Sequence, residues 1–254
     1  MIFMRSDELM VAVSKMSENN EGFAAMRKGL PLGLDMAEQV IVAQKREKPL
    51  TIRHTCVTGV GKGNFIRRLL ITLSCLYEKN EACFFVLSPS VEYGEMLRLK
   101  AMDCTVPYIR NKEDLALAVE TLKELLRMRA YGKGYPRLFL VLDGLDELPE
   151  SNKNGDLEEY REIFDLLNRN DEVDVISGAD LIHSIFSGEP GAFVGAGNCL
   201  VTTREEGKAD VTYVQDDFSL TLPTPMRYPS EPSLVETVIY FNSISREFFG
   251  GEGE

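Results

Sequence analysis

The run PRLFLVLDG at residues 136–144 is almost unbroken in apolar character and stops on a carboxylate. It is far too short to cross a membrane as a helix and shows no polar face, so it reads as a central strand buried on both sides. A strand covered on both sides needs helices above and below it, which confines the chain to layered α/β architectures. The rest of the sequence alternates accordingly. TIRHTCV (51–57), ACFFVLS (82–88), CTVPYI (104–109) and GNCLVTTR (197–204) read as strands, EQVIVAQ (38–44) as a short one, and VTYVQDDFSLTL contains one more. Leu69, Leu70, Leu73, Leu76 and Tyr77 recur at helical spacing, as do Leu115, Ala118, Val119, Leu122, Leu125 and Leu126, with Asn111 as the cap of that second helix. Residues 7–28, 91–102, 157–169, 179–186 and 232–249 also read as helices, and GLPLGLD breaks the pattern after the first of them. The expectation is a three-layer α/β fold around a mostly parallel central sheet. It comprises an N-terminal helical extension (1–28), one domain (29–249) and a flexible tail (250–254).

Composition removes several functional classes. With 44% hydrophobic and 27% charged residues the chain of 254 has the make-up of a globular protein. Its net charge of −12 argues against a free-standing, nonspecific DNA-coating protein, so nucleic-acid contact would require a local basic surface or other chains. Between Asp143 and Asp180, thirteen acidic side chains face only Lys153, Arg161 and Arg169, a segment expected to repel DNA. The basic residues Lys45, Arg46, Lys48, Arg53, Arg67 and Arg68 fall earlier and read as a solvated surface. Cys56, Cys75, Cys83, Cys104 and Cys199 are odd in number and form no CxxC pair, which suits reduced thiols in a cytoplasmic protein. His54 and His183 lack ligands at zinc spacing, and no stretch has the length or apolarity of a membrane span.

In a parallel α/β sheet the ligand site lies beyond the C-terminal ends of the strands. Three strands end on chemistry-bearing residues. The first runs into Thr58-Gly59-Val60-Gly61-Lys62-Gly63-Asn64 and then a helix, the context of a phosphate-binding P-loop of the form GxxxxGK[ST]. Gly61 and Lys62 match; Cys56 stands for the first glycine, and Gly63 stands for the magnesium-binding hydroxyl. The second strand ends at Asp143, the position of a magnesium-holding Walker B carboxylate. The glutamate that would polarise water there is Gly144, with Asp146 and Glu147 nearby. Glu147 is the candidate substitute for that base, against a plain capping role. The third strand ends at Thr202, Thr203 and Arg204, where a γ-phosphate sensor would sit, against the alternative of solvated polar groups.

Taken together, the segment from Gly29 to Arg204 resembles the FtsK/SpoIIIE family of HerA-like P-loop ATPases. GLPLGLD is similar to the family's segment before the nucleotide strand, and RHTCVTGVGKGNFIRRLLITL to its nucleotide loop and apolar helix. Ser88-Pro89-Ser90 falls where the family has Asp-Pro-Lys, Asp143-Gly144 where it has Asp-Glu, and Thr203 or Arg204 near its strand-end Gln. The resemblance implies a RecA-like motor domain that uses ATP and Mg2+ and is hexamer-like in assembly. It would act on DNA or on a secreted protein through that assembly. The four departures imply a weak or inactive ATPase, with Gly63→Ser and Gly144→Glu as the changes that would restore the motif. A non-catalytic assembly subunit that keeps the fold for protein contacts is the alternative. LVLDGLDEL and CLVTTREE also look like strands of NACHT and NB-ARC nucleotide switches, although no winged-helix or repeat region follows.

Overall fold

The structure is a computed structural model. It describes residues 6–17, 22, 24, 26, 29–43, 51–56, 62–74, 76–77, 80–98, 103–144, 166, 169–170, 173–178, 199–205, 207–213 and 222–229. Helix α1 (Ser6–Ser17) is followed by strands β1 (Leu30–Leu34), β2 (Val40–Ala43) and β3 (Thr51–Cys56), then helix α2 (Lys62–Ser74). Strand β4 (Ala82–Leu87), a 3-10 helix (Val91–Arg98) and β5 (Asp103–Thr105) precede helix α3 (Lys112–Tyr131) and strand β6 (Arg137–Leu142). Strands β7 (Val173–Gly178), β8 (Cys199–Glu205), β9 (Lys208–Tyr213) and β10 (Thr224–Arg227) complete the described elements.

All ten strands join one sheet in the order β2-β1-β10-β9-β8-β3-β7-β6-β4-β5. Six neighbouring strands, β8 to β5, are parallel, as the strand–helix alternation requires. The other four are antiparallel hairpin-type additions. The parallel sheet expected is thus seen over β8 to β5, and the antiparallel part lies beyond it, where tight turns such as the one through Gly207 (φ 79°) join antiparallel neighbours.

Alternating side chains bind helices to both faces. Phe84 and Val86 of β4, Phe139 and Val141 of β6, and Ile176 of β7 pack with Phe65, Ile66, Leu69, Leu70 and Leu73 of α2. Phe85 and Leu87, Leu138, Leu140 and Leu142, and Val173 and Val175 pack on the other side with Ala118, Val119, Leu122 and Leu126 of α3. Every residue of β6 is buried, as its apolar run demands. Leu9 and Val13 of α1 share the α2-side core with Leu30, Leu32 and Leu34 of β1.

Four expectations change here. GLPLGLD is no break: Leu30, Leu32 and Leu34 point one way at period two, while Pro31 and Gly33 occupy the other face. A Cβ at Gly33 would lie 2.2 Å from the Arg227 carbonyl oxygen, so β10 can approach only a glycine. Strand β7 falls in the acidic segment and was hidden by Asp174, which is fully buried against Arg137. The helix expected over 91–102 is a 3-10 helix ending at Arg98, and the strand expected over 104–109 spans only Asp103–Thr105. The helices expected over 179–186 and 232–249, and the tail, lie outside the described residues. Of 157–169 only Leu166 and Arg169 are described.

Helix α3 starts where its cap was expected. Asn111 Oδ1 accepts from the Asp114 N–H at 2.8 Å, the N-cap bond, and Asp114 Oδ2 accepts from the Arg110 N–H, one residue before the cap, at 3.1 Å. Replacing Asn111 with alanine is expected to cost about 1 kcal/mol and with glycine only a few tenths. Paired urea titrations followed by circular dichroism check this, and equal losses for the two variants would contradict the cap. Cys83, Cys104 and Cys199 are free thiols, and burial pushes Cys104 and Cys199 up to about 12. Among the described residues no helix is long and apolar enough to cross a membrane.

Candidate functional site

The parallel strands present their C-terminal ends along one side of the sheet, and Gly63, Asp143 and Arg67 meet there. Cys56, the last residue of β3, registers with Thr203 of β8. Helix α2 begins at Lys62 and carries Gly63 and Asn64 in its first turn. Asp143 follows β6, and its N–H donates to the Leu87 carbonyl at 3.1 Å, so the β4–β6 ladder fixes the backbone that carries the carboxylate. The strand ending at Asp143 does not neighbour β3; β7 lies between them.

Gly63 and Asp143 nonetheless meet. A Cβ built on Gly63 would stand 3.2 Å from Asp143 Oδ2. The side chain that a P-loop places after its lysine would therefore touch the carboxylate at the end of β6. Asp143 is buried, and its Oδ2 accepts a hydrogen bond of 2.9 Å from the hydroxyl of Tyr93. Tyr93 is fully buried. Burial first, and then the negative charge of Asp143, push its phenol well above the ordinary tyrosine range, so it stays protonated and remains the donor.

The delivery of Tyr93 is local chemistry. After β4, Ser88 Oγ accepts from the Ser90 N–H at 3.2 Å and the Ser90 carbonyl accepts from the Tyr93 N–H at 3.3 Å. Pro89 sits inside this turn, which winds the chain into the 3-10 helix and carries Tyr93 back over the end of β6. Arg67 closes the cluster. Its Nη1 lies 2.8 Å from the Cβ position at Gly63, pairs with Glu92 Oε2 at 2.7 Å, and its guanidinium stands 5.8 Å from the Tyr93 ring centroid. Asn64 faces along its own helix, its Oδ1 accepting from Arg68 Nε at 3.2 Å.

Gly144 has φ +66°, a left-handed backbone suited to glycine, so the position after Asp143 is shaped against a glutamate as well as lacking one. The β8–β9 ladder shifts register between Thr203 and Glu205, at Arg204. Thr58, Gly59, Val60, Gly61, Asp146 and Glu147 lie outside the described residues, as do the side chains of Lys62, Thr203 and Arg204. Tyr93, Arg67 and Glu92 were not singled out as site residues from sequence. Arg67 could have been, since it falls one helical turn beyond Gly63 on the same face. Tyr93 is fifty positions from Asp143, and only the fold joins them.

Among the described residues the donor set does not suit magnesium. That ion requires near-octahedral oxygen ligands at about 2.0–2.1 Å. Here Gly63 offers no oxygen, the facing oxygen of Asp143 is taken by a phenol, and a guanidinium stands against the same corner. Among the described residues no group of three His, Cys, Asp or Glu could hold a metal ion.

No protein-family model matches the chain, and no curated protein matches it in sequence. Its fold does match solved structures. The cytoplasmic domain of the type VII secretion ATPase EccC from Thermomonospora curvata aligns with a TM-score of 0.59 at 12% identity, over 81% of this chain and 26% of that one. ATPases 2 and 3 of EssC from Geobacillus thermodenitrificans align at 0.54 and 12% identity, over 89% and 50%. ATPases 2 and 3 of Thermomonospora curvata EccC, bound to a signal sequence peptide, align at 0.54 and 15% identity, over 81% and 41%. The chain thus spans between a quarter and a half of these ATPases, and what it shares with them is the fold. That fold fits the FtsK/SpoIIIE resemblance read from the sequence.

Proposed function

We propose that the chain is a divergent FtsK/SpoIIIE-like P-loop ATPase domain, three-layered and RecA-like over residues 29–249, which binds nucleotide weakly and turns it over little or not at all. The observation that carries this reading is the meeting of Gly63 and Asp143, 3.2 Å apart as measured from the Cβ position. A glycine-rich strand-to-helix turn with an incidental lysine has no reason to set its helix start against the terminal carboxylate of another strand. A P-loop has that reason, because both groups serve one phosphate chain. In this reading Thr58 to Asn64 cradle the phosphates with Lys62 as the main charged contact, Thr203 and Arg204 face the γ-phosphate, and Asp143 orders the corner. The structures it matches include secretion ATPases, one of them holding a signal sequence peptide, which supports a place in a secretion or DNA-transfer machine, in the cytoplasm and within a homo- or hetero-oligomer.

Backbone N–H groups at the start of α2, with the helix dipole behind them, attract phosphate even without a hydroxyl. Titration calorimetry with ATP is expected to show weak binding that Lys62→Ala reduces further. No heat at millimolar ATP, or heat unchanged by Lys62→Ala, would overturn the nucleotide reading.

One feature favours the second reading, a non-catalytic assembly subunit. Leu117, Met128 and Tyr131 follow one another along the outer face of α3 and are 72%, 53% and 83% exposed. Apolar side chains in a line on a helix opposite its core face suit contact with another protein. Oligomerisation that is lost on replacing Leu117 and Tyr131 with lysine, in a chain that binds no ATP, would favour this reading over the first.

A further inference from the structure

The corner between α2 and β6 is not simply missing a part; another part stands in its place. In a magnesium-using P-loop the hydroxyl after the lysine ligates the ion, which the carboxylate at the end of the facing strand also helps to hold. Here the loop hydroxyl is gone at Gly63, and the carboxylate oxygen facing Gly63 receives a hydroxyl from a different element, Tyr93 at 2.9 Å. Both the Tyr93 hydroxyl and the empty Cβ direction of Gly63 lie against the same atom, Asp143 Oδ2. The positive charge of the corner is also supplied by the chain. Arg67 Nη1 comes within 2.8 Å of the Gly63 Cβ position, and Glu92 holds it there at 2.7 Å.

We propose that Tyr93 takes over the oxygen of Asp143 that a bound magnesium would need, with Arg67 as the fixed cation of the corner, so that the site engages phosphate without a divalent ion. The proposal rests on the reading of this edge as a nucleotide site, and it assigns Tyr93 as the residue that decides metal dependence. A serine Cβ at position 63 would stand 3.2 Å from Asp143 Oδ2, the atom that already accepts from Tyr93, so the glycine and the tyrosine share one corner. The buried Tyr93 ring holds its hydroxyl on Asp143 Oδ2, so a dication must compete with that hydrogen bond, whereas a water on the same oxygen exchanges freely.

Mn2+ alone is the probe that separates this proposal from the nucleotide reading. Electron paramagnetic resonance of free Mn2+ titrated with the full chain is expected to show no specific binding by the wild type. Tyr93→Phe removes the hydroxyl that occupies Asp143 Oδ2 and keeps the ring, and is expected to make Mn2+ binding appear where the wild type shows none, a gain abolished by adding Asp143→Asn. In parallel, ATP affinity of the wild type is expected to be the same in Mg2+ and in EDTA. Mn2+ binding by the wild type that disappears in Asp143→Asn would overturn the proposal, as would a folded Tyr93→Phe chain that gains no Mn2+ affinity. ATP binding that strengthens with Mg2+ would overturn it too while leaving the nucleotide reading intact. Absence of ATP binding, in contrast, counts against the nucleotide reading, and the Mn2+ titration of Tyr93→Phe still decides the role of Tyr93. Should Tyr93→Phe fail to fold, the wild-type titration and its Asp143→Asn control remain decisive.

Discussion

Replacing Asp174 with alanine is expected to remove about 3–5 kcal/mol of stability, a loss large enough to unfold many domains of this size. Asp174 sits in β7, fully buried, and its carboxylate pairs with Arg137 at the start of β6. Arg137 is itself buried, donates to the Tyr77 hydroxyl, and lies 4.9 Å from the Phe139 ring centroid and 5.6 Å from that of Tyr77. Removing the carboxylate leaves a buried guanidinium beside the Tyr77 and Phe139 rings without its countercharge. The magnitude therefore reflects an abandoned charge rather than the worth of the pair. The same physics gives the control: Asp174→Leu combined with Arg137→Met removes both charges and is expected to lie much closer to wild type. Urea midpoints followed by circular dichroism measure both variants. A single Asp174→Ala change that leaves the midpoint in place would show the pair to be dispensable.

That ion pair also explains where the sequence was silent. The strands and helices bearing unbroken or periodic apolar character, β3, β4, β6, β8, α2 and α3, were legible because burial on one or two faces writes itself into residue type. Strand β7 has the same alternation, but its inward residues include Asp174, and a carboxylate next to other carboxylates reads as a solvated surface. Only its partner, thirty-seven positions earlier, makes it a core residue. Strand β1 failed for a different reason. Proline and glycine were taken as breakers, yet in Leu-Pro-Leu-Gly-Leu they fall on alternate positions, and Gly33 answers the close approach of β10. Propensity describes a residue alone, and both errors arose where a distant chain segment set the requirement.

The site divides in the same way. The ends of β3, β6 and β8 could be read as one edge because parallel strands must end together, and Lys62, Asp143 and Thr203 follow from that. The sequence showed what was missing at Gly63 and Gly144. It could not show that Tyr93 stands against Asp143, because that contact depends on the turn through Ser88, Pro89 and Ser90 placing one ring over one strand end.

The largest expected effect concerns turnover. Phosphate release from ATP by the wild-type chain in Mg2+ is expected to equal that of a Lys62→Ala control, at background. A positioned general base contributes roughly 10²–10⁴ in rate, and no carboxylate follows Asp143 directly. The loop hydroxyl is absent, and the Asp143 oxygen that faces it is bonded to Tyr93. Each ~1.4 kcal/mol of lost transition-state stabilisation is another tenfold, so these deficits together place hydrolysis beyond steady-state detection. Sequence alone suggests that Gly63→Ser with Gly144→Glu would raise the rate. The structure reverses that expectation. A serine Cβ would stand 3.2 Å from Asp143 Oδ2 and would displace only the flexible tip of Arg67, but a glutamate at 144 would have to adopt φ +66°. That backbone costs a side chain about 1–2 kcal/mol and aims it away from the geometry an extended glutamate would have. The double variant is therefore expected to remain at background and to be less stable than wild type. Robust wild-type release that vanishes in Lys62→Ala would show instead that a carboxylate from Glu147 or from a neighbouring subunit completes the site, and that Tyr93 yields its place when nucleotide arrives.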